Sequence, residues 1–320
     1  MAVSREFLRR AADDTGFPIA ALEKVARLGE LAGDIAKHPL LKDALALKGG
    51  TPLNLCFAPP QRMSVDLDYN YIHHLDREAM REERPSIEQA IVELVRRRGY
   101  VAGTPTDEHA GRTFSLQYRS VDGPADLIKL DINYQMRLPL ADIQTLSLWQ
   151  PGGLDHVNVS VVSTLELLVG KVLAFFDRAA ARDAWDVANL PASIASTLER
   201  TDFRQTFLAL AGMLIHPPSV ESEARIRRLI TPEVVSQQLV PMLVGGAGVD
   251  PTELVDRAWQ RVSGLVELSA GEAKYFEQIN AGTLDLALLF PDDPREATRL
   301  AGHPALLWKI LNVQKHKKNR

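Results

Sequence analysis

The sequence predicts an α+β protein. A mixed sheet with flanking helices occupies residues 1–190, and a mostly helical domain follows over residues 191–320. Three observations predict this. The segments MSVDLDYNY, RTFSLQY and DLIKLDINY alternate apolar and polar residues with the period of half-buried strands. Amphipathic helical stretches lie before, between and after them. From Pro191 onward the pattern is helical, broken by GGAG near residue 246 and by Pro, Gly and Asp turns.

Taken in order, Phe17 to Leu45 carries helical periodicity, with Pro18 placed for a first turn. ALALK (Ala44 to Lys48) reads as a short strand stopped by Gly49-Gly50. In the next strand Val65, Leu67, Tyr69 and Tyr71 face one way, and Ser64, Asp66, Asp68 and Asn70 the other. SIEQAIVELVRRRGY is an amphipathic helix opened by Ser86 and Gln89 as a capping box. His109, beside Gly111-Arg112, reads as a loop residue. Strands over Arg112 to Tyr118 and Asp126 to Tyr134 follow, then VNVSVVS. A helix with Ser163 and Glu166 as its capping box (STLELLVGKVLAFFDR) precedes another, ARDAWDVANL; these two fit either domain.

Composition narrows the function classes. Hydrophobic residues make up 46% and charged residues 24%, ordinary for a globular protein. The net charge of −4 does not advertise nucleic-acid binding, although basic runs occur at Arg96-Arg97-Arg98 and in the terminal KHKKNR, read as a solvated tail. The lone cysteine, Cys56, allows no intrachain disulfide and no cysteine-built zinc site, which fits a reducing cytoplasm. The charged N-terminal stretch lacks a signal-peptide core, and no apolar run is long enough to span a membrane.

The chemistry concentrates on the polar faces of three strands: Ser64, Asp66 and Asp68; Thr113, Ser115 and Gln117; Lys129, Asp131 and Asn133. In one sheet, Asp131 meets Asp66 and Asp68. Clustered carboxylates repel one another. A hard divalent cation, Mg²⁺ or Mn²⁺, reverses that cost and leaves positions for phosphates. The glycine pair lets backbone N–H groups approach a phosphate closely. Plainer readings remain for each residue. The aspartates can be exposed strand residues, and Glu166 a helix cap. Lys171, in the apolar run LLVGKVLAFF, must snorkel, pair with a carboxylate or meet a phosphate. Asp183 and Asp186 can simply pair with Arg178 and Arg182.

KGGTPLNL, RMSVDLDY and LELLVGKVLAFFDRAAARDAWDVANL together resemble the AbiEii/AbiGii toxin family of nucleotidyltransferases. The likeness falls on Lys48, Gly49, Gly50 and Thr51, on Arg62, Ser64, Asp66 and Asp68, and on Glu166, Lys171, Arg178, Arg182, Asp183 and Asp186, with Pro52 in place of an alanine. The resemblance implies a bacterial toxin with a cognate antitoxin, transferring a nucleotide from an NTP to an acceptor hydroxyl, with the 3′ end of tRNA as the favoured acceptor. It implies catalytic roles for Asp66, Asp68, Asp131, Lys171 and Asp186, metal binding by the first three, and phosphate contacts from Lys48, Gly49, Gly50, Thr51, Arg62, Ser64, Lys171 and Arg178. Transfer to a small molecule or protein, or a non-catalytic interaction module, stand as alternatives.

Overall fold

The structure, a computed structural model, describes residues 3–108, 110–246 and 248–318. His109 and the terminal Arg320, both weighed in the sequence, lie outside the described residues. The chain divides into two compact units, Met1–Ser163 with Ser236–Gly248, and Thr164–Val235 with Val249–Arg320.

The first unit contains, in chain order, α1 (Arg5–Thr15), α2 (Ile19–Lys37), α3 (Leu41–Ala44), β1 (Leu45–Lys48), α4 (Gly50–Leu55), β2 (Leu67–Tyr71), α5 (Arg77–Arg97), β3 (Val101–Ala102), β4 (Thr106–Glu108), β5 (Gly111–Arg119), β6 (Ala125–Asn133), β7 (Gln144–Leu148) and β8 (Val157–Val161). The strands form one mixed sheet in the order β3-β5-β6-β2-β1-β8-β7, with β4 also on β5. Pairs β2/β6 and β1/β8 run parallel and the rest antiparallel. The alternation read in the sequence is the burial pattern: Leu67, Tyr69, Phe114, Leu116, Ile128, Leu130 and Ile132 are all buried. Helix α2 buries Leu22, Val25 and Leu28 and closes tightly on β8, where a Cβ on Gly33 would stand 2.8 Å from Val157.

Three local expectations are corrected. The helix expected from Ser86 begins at Arg77, with the Asp76 carboxylate accepting from the Ala79 N–H at 2.9 Å, so Ser86 caps nothing. Pro85 lies inside that helix; the carbonyl it leaves without an N–H partner belongs to Arg81, an exposed residue. The strand expected from Met63 is regular only from Leu67, because β1 ends at Lys48, opposite Asp68, and offers nothing further to pair with. The helix expected to run to Leu45 breaks after Lys37, where His38 Nδ1 accepts from the Leu40 and Leu41 N–H groups. Strand β7 had no clear signal, since QTLSL is short and polar.

The second unit is helical: α6 (Thr164–Arg178), α7 (Ala181–Ala188), α8 (Ala192–Ala195), α9 (Thr201–Ala211), α10 (Ser222–Leu229), α11 (Pro232–Gln238), α12 (Pro251–Val262), α13 (Ala270–Asn280), α14 (Pro294–Ala301) and α15 (Pro304–Lys318). The last three residues of α11 fall to the first unit. Phe175, Phe176, Phe203 and Phe207 are fully buried, with Phe176 and Phe207 rings 5.6 Å apart, and they form the apolar centre that α6 and α9 share. The terminal KHKK is not a frayed tail: α15 continues through Lys318, and Gln314 and Lys317 donate to the carbonyls of Gly282 and Ala281.

Candidate active site

The glycine pair is the hinge of the site. β1 ends at Lys48, Gly49 takes φ 76° and ψ −150°, and α4 starts at Gly50. Both glycines are needed for space. A Cβ on Gly49 would lie 2.7 Å from Asp68 Oδ2, and one on Gly50 would lie 3.0 Å from Ser64 Oγ and 3.1 Å from an Arg62 guanidinium nitrogen. Thr51, buried in the first turn of α4, donates one hydroxyl hydrogen in a position shared by Ser64 Oγ at 3.0 Å and the Asp66 carbonyl at 2.5 Å. That contact ties the loop carrying Ser64 and Asp66 to the glycine turn.

The carboxylates come together through strand register. Lys48 stands opposite Asp68 across β1/β2, and Asp68 stands opposite Asp131 across the parallel pair β2/β6. Directly paired residues share a face with their Cβ atoms about 5 Å apart. Asp66 precedes Asp68 by two residues and, like Asp68 and Asp131, is only partly buried. Thr113, opposite Asp131 across β5/β6, donates its hydroxyl to Asp131 Oδ1. Its role had no signal in the sequence beyond its place on the polar face, because register between β5 and β6 is set by a turn. Arg62 is 3% exposed and donates to the Met63 carbonyl at 2.9 Å. The returning segment holds it in place: Arg62 bridges to Leu243, and the Met63 N–H donates to the Met242 carbonyl at 2.8 Å. A helical segment so far along the chain gave no sign in the sequence of supporting this loop.

The donor set suits a hard cation. Asp68 and Asp131 supply carboxylates from paired strand positions, with Asp66 just before β2, the chemistry that favours Mg²⁺ or Mn²⁺ over softer ions. Lys48 stands beside Asp68, and the Arg62 guanidinium lies against Gly50 and Ser64, so positive side chains border the carboxylates where a phosphate would approach.

The second group of predicted residues forms its own cluster in the helical unit. Lys171 Nζ lies 2.9 Å from Asp183 Oδ1 and 2.7 Å from Asp186 Oδ2, and the Arg178 guanidinium grips both oxygens of Asp183. Lys171, Asp183 and Asp186 are buried, whereas the Arg178 side chain is 64% exposed. Burial alone pushes the Asp183 carboxyl up, but the Lys171 ammonium and the Arg178 guanidinium outweigh it and hold that carboxyl well below the usual range. Of the roles open to Lys171, carboxylate pairing is the one realised in this geometry. Glu166 is buried on α6 and feels the Arg299 charge, and Arg182 is exposed.

Comparison with known proteins bears on the fold and the family. The structure resembles that of MenT4, a nucleotidyltransferase toxin from Mycobacterium tuberculosis H37Rv, with a TM-score of 0.64 at 17% identity, over 96% of this chain and 99% of that one. At that identity the likeness speaks for the fold. No curated protein matches the chain in sequence. The profile of the family described as nucleotidyl transferase AbiEii toxin, type IV toxin–antitoxin system, matches residues 31–261, a span holding the glycine turn, all three aspartates and the Lys171 cluster. The chain belongs to that family, the AbiEii nucleotidyltransferase toxins.

Proposed function

We propose that this nucleotidyltransferase moves a nucleoside monophosphate from an NTP to the 3′ end of a tRNA, using a divalent cation held by Asp66, Asp68 and Asp131. One observation carries the reading: Asp68 and Asp131 stand directly opposite in parallel strands, with Asp66 two residues earlier, beside a glycine turn. The acceptor hydroxyl oxygen forms a new bond to the α-phosphorus. The bond from that phosphorus to the bridging oxygen breaks, pyrophosphate leaves with its electron pair, and the hydroxyl proton is given up to solvent. Asp131, steadied by Thr113, orients the attacking hydroxyl. The backbone amides of Gly49, Gly50 and Thr51 face the phosphates, which only a residue without a Cβ permits so close to Asp68. Lys48, Arg62 and Ser64 complete that contact. A divalent cation, Mg²⁺ or Mn²⁺, would supply charge neutralisation of the triphosphate and polarisation at the reacting phosphorus.

Lys171, Arg178 and Asp186 enter by resemblance, as triphosphate ligands and a catalytic carboxylate. Their ion pairing supports a structural role with equal directness, and substitution separates the two (Discussion). Membership of the toxin family implies an antitoxin partner. Among the described residues no helix is long and apolar enough to cross a membrane, and a cytoplasmic setting fits the single cysteine. The test is incubation with α-labelled NTPs and either total RNA or a panel of small acceptors. Label in the tRNA fraction supports the reading; label confined to small molecules or protein moves the acceptor elsewhere.

A further inference from the structure

The carboxylate face is not the only place where metal-ligating groups converge. Strand β2 ends at Tyr71, and the chain beyond it carries His73 and His74. Successive residues in a strand point to opposite faces. Here the chain has left strand geometry, and both imidazoles turn toward one carboxylate, Glu83 on α5. His73 Nδ1 lies 2.9 and 3.0 Å from the two Glu83 oxygens, and His74 Nε2 lies 3.9 Å from Oε1. The two rings are 4.1 Å apart. One ligand atom from each residue lies within 4.8 Å of the other two.

The carboxylate is already oriented. The buried Tyr71 hydroxyl donates to Glu83 Oε2 at 2.6 Å. That leaves Oε1 toward both imidazoles, the supporting contact by which an outer hydrogen bond aims a metal-binding carboxylate. In a four-coordinate centre with bonds of about 2.0–2.1 Å, ligand atoms stand roughly 3.4 Å apart. The observed histidine-to-Oε1 separations of 2.9 and 3.9 Å bracket that spacing. The histidine side chains are 42% and 41% exposed and Glu83 17%, so an ion can enter from solvent and keep a water.

We propose that His73, His74 and Glu83 form a second metal site, for a borderline transition-metal dication of the Zn²⁺ type, with a fourth position for water. Imidazole nitrogens with one carboxylate favour Zn²⁺, Co²⁺ or Ni²⁺ over Mg²⁺, so the site is chemically distinct from the three aspartates. It fastens the end of the strand that carries Asp68 to α5. From Asp68 to His73 the chain spans at most about 17 Å, so the role is to brace the catalytic strand. The proposal does not depend on the identity of the acceptor.

The test uses the full chain without a histidine tag, stripped with a chelator and then titrated with Co²⁺ and Zn²⁺. To keep the three-aspartate face from contributing, the titration is repeated in an Asp68→Ala background. The site predicts one tight equivalent in both proteins, with the visible absorption of low-coordinate Co²⁺, displaced by Zn²⁺. His74→Ala, which removes an accessible side chain, should weaken that equivalent at least about 100-fold, beyond the loss expected for an outer-shell contact. It should also abolish the Zn²⁺-dependent rise in Tm while leaving nucleotide transfer in Mg²⁺ intact. His73→Gln gives a second readout with the same expectation. No tight equivalent in the Asp68→Ala protein, or an affinity unchanged in both histidine variants, would overturn the proposal and leave a simple histidine–carboxylate pair.

Discussion

A methyl group at residue 49 would collide with the Asp68 carboxylate, and the backbone there has φ 76°. Gly49→Ala therefore meets two penalties, strain of about 1–3 kcal/mol in a backbone region that is essentially glycine-only and displacement of Asp68. Its expected outcome is a lowered Tm together with a transfer rate down at least about tenfold. Gly50 has no positive φ, and its neighbours are side-chain ends, so Gly50→Ala should keep its Tm and lose mainly NTP affinity, a rise in KM. Asp66→Ala and Asp68→Ala each remove a proposed metal ligand from the edge of the site, and the fold should hold. Transfer should fall by at least about 10²–10³, the usual loss for one preorganised electrostatic contact. Retention of more than about a tenth of wild-type activity in either, with melting unchanged, would remove the metal assignment. These residues were legible because period-two alternation fixes which side chains share a face. Thr113 was visible on that face, but its partner was not, since register depends on the turn between β5 and β6.

At the scale of elements, α6 and α7 are joined by a buried ion cluster rather than by apolar contact alone. Lys171 is 7% exposed and meets two carboxylates that are less exposed still. Replacing Lys171 by Ala removes the buried ammonium that Asp183 and Asp186 share, while Asp183 keeps Arg178; breaking a buried pair typically costs about 3–5 kcal/mol, and denaturant unfolding measures the loss. If that loss appears while KM for the NTP is unchanged, Lys171 is an ion-pair residue. If KM rises in a protein of normal stability, it is a triphosphate ligand. The pH dependence follows from the same cluster. Asp183 has its folded pKa depressed, so its contribution is complete above its unfolded value, near pH 4, and is lost as pH falls from there through the folded value. Wild-type stability should drop below about pH 4 more steeply than that of Lys171→Ala, whose Asp183 has lost its main partner. The sequence showed that a lysine in LLVGKVLAFF needed a partner, and it showed the candidates, but helix spacing alone could not choose between carboxylate and phosphate. Helix α5 was misplaced at its start for a different reason. Ser86 and Gln89 read as a capping box, whereas the cap is Asp76, nearly three turns upstream.

At the scale of the whole molecule, the sequence pattern puts the change of organisation at residue 190, and the compact units divide after Ser163. The return of residues 236–248 to the sheet-bearing unit had no sign in the sequence, because it rests on main-chain bonds such as Met63 N–H to Met242 carbonyl, which carry no side-chain signature. The overall charge is −4, so the proposed RNA acceptor would need local basic surface, and the lysines at the end of α15 are one such run. Truncation after Val313 should weaken tRNA binding modestly and flatten its salt dependence, because fewer counterions are released. It should also lower Tm slightly through loss of the Gln314 and Lys317 contacts to the end of α13. NTP affinity should not change, and an unaltered salt slope would exclude this helix end as an RNA contact.

The central claim is nucleotide transfer from the Asp66, Asp68 and Asp131 face to RNA. Intact-mass spectrometry of tRNA, after incubation with the protein and each NTP in turn, tests it most directly. The expected result is a gain of one or a few nucleotide masses with at least one NTP, abolished by chelator and absent with Asp66→Ala. No gain with any of the four NTPs, or an equal gain with Asp66→Ala, would contradict it.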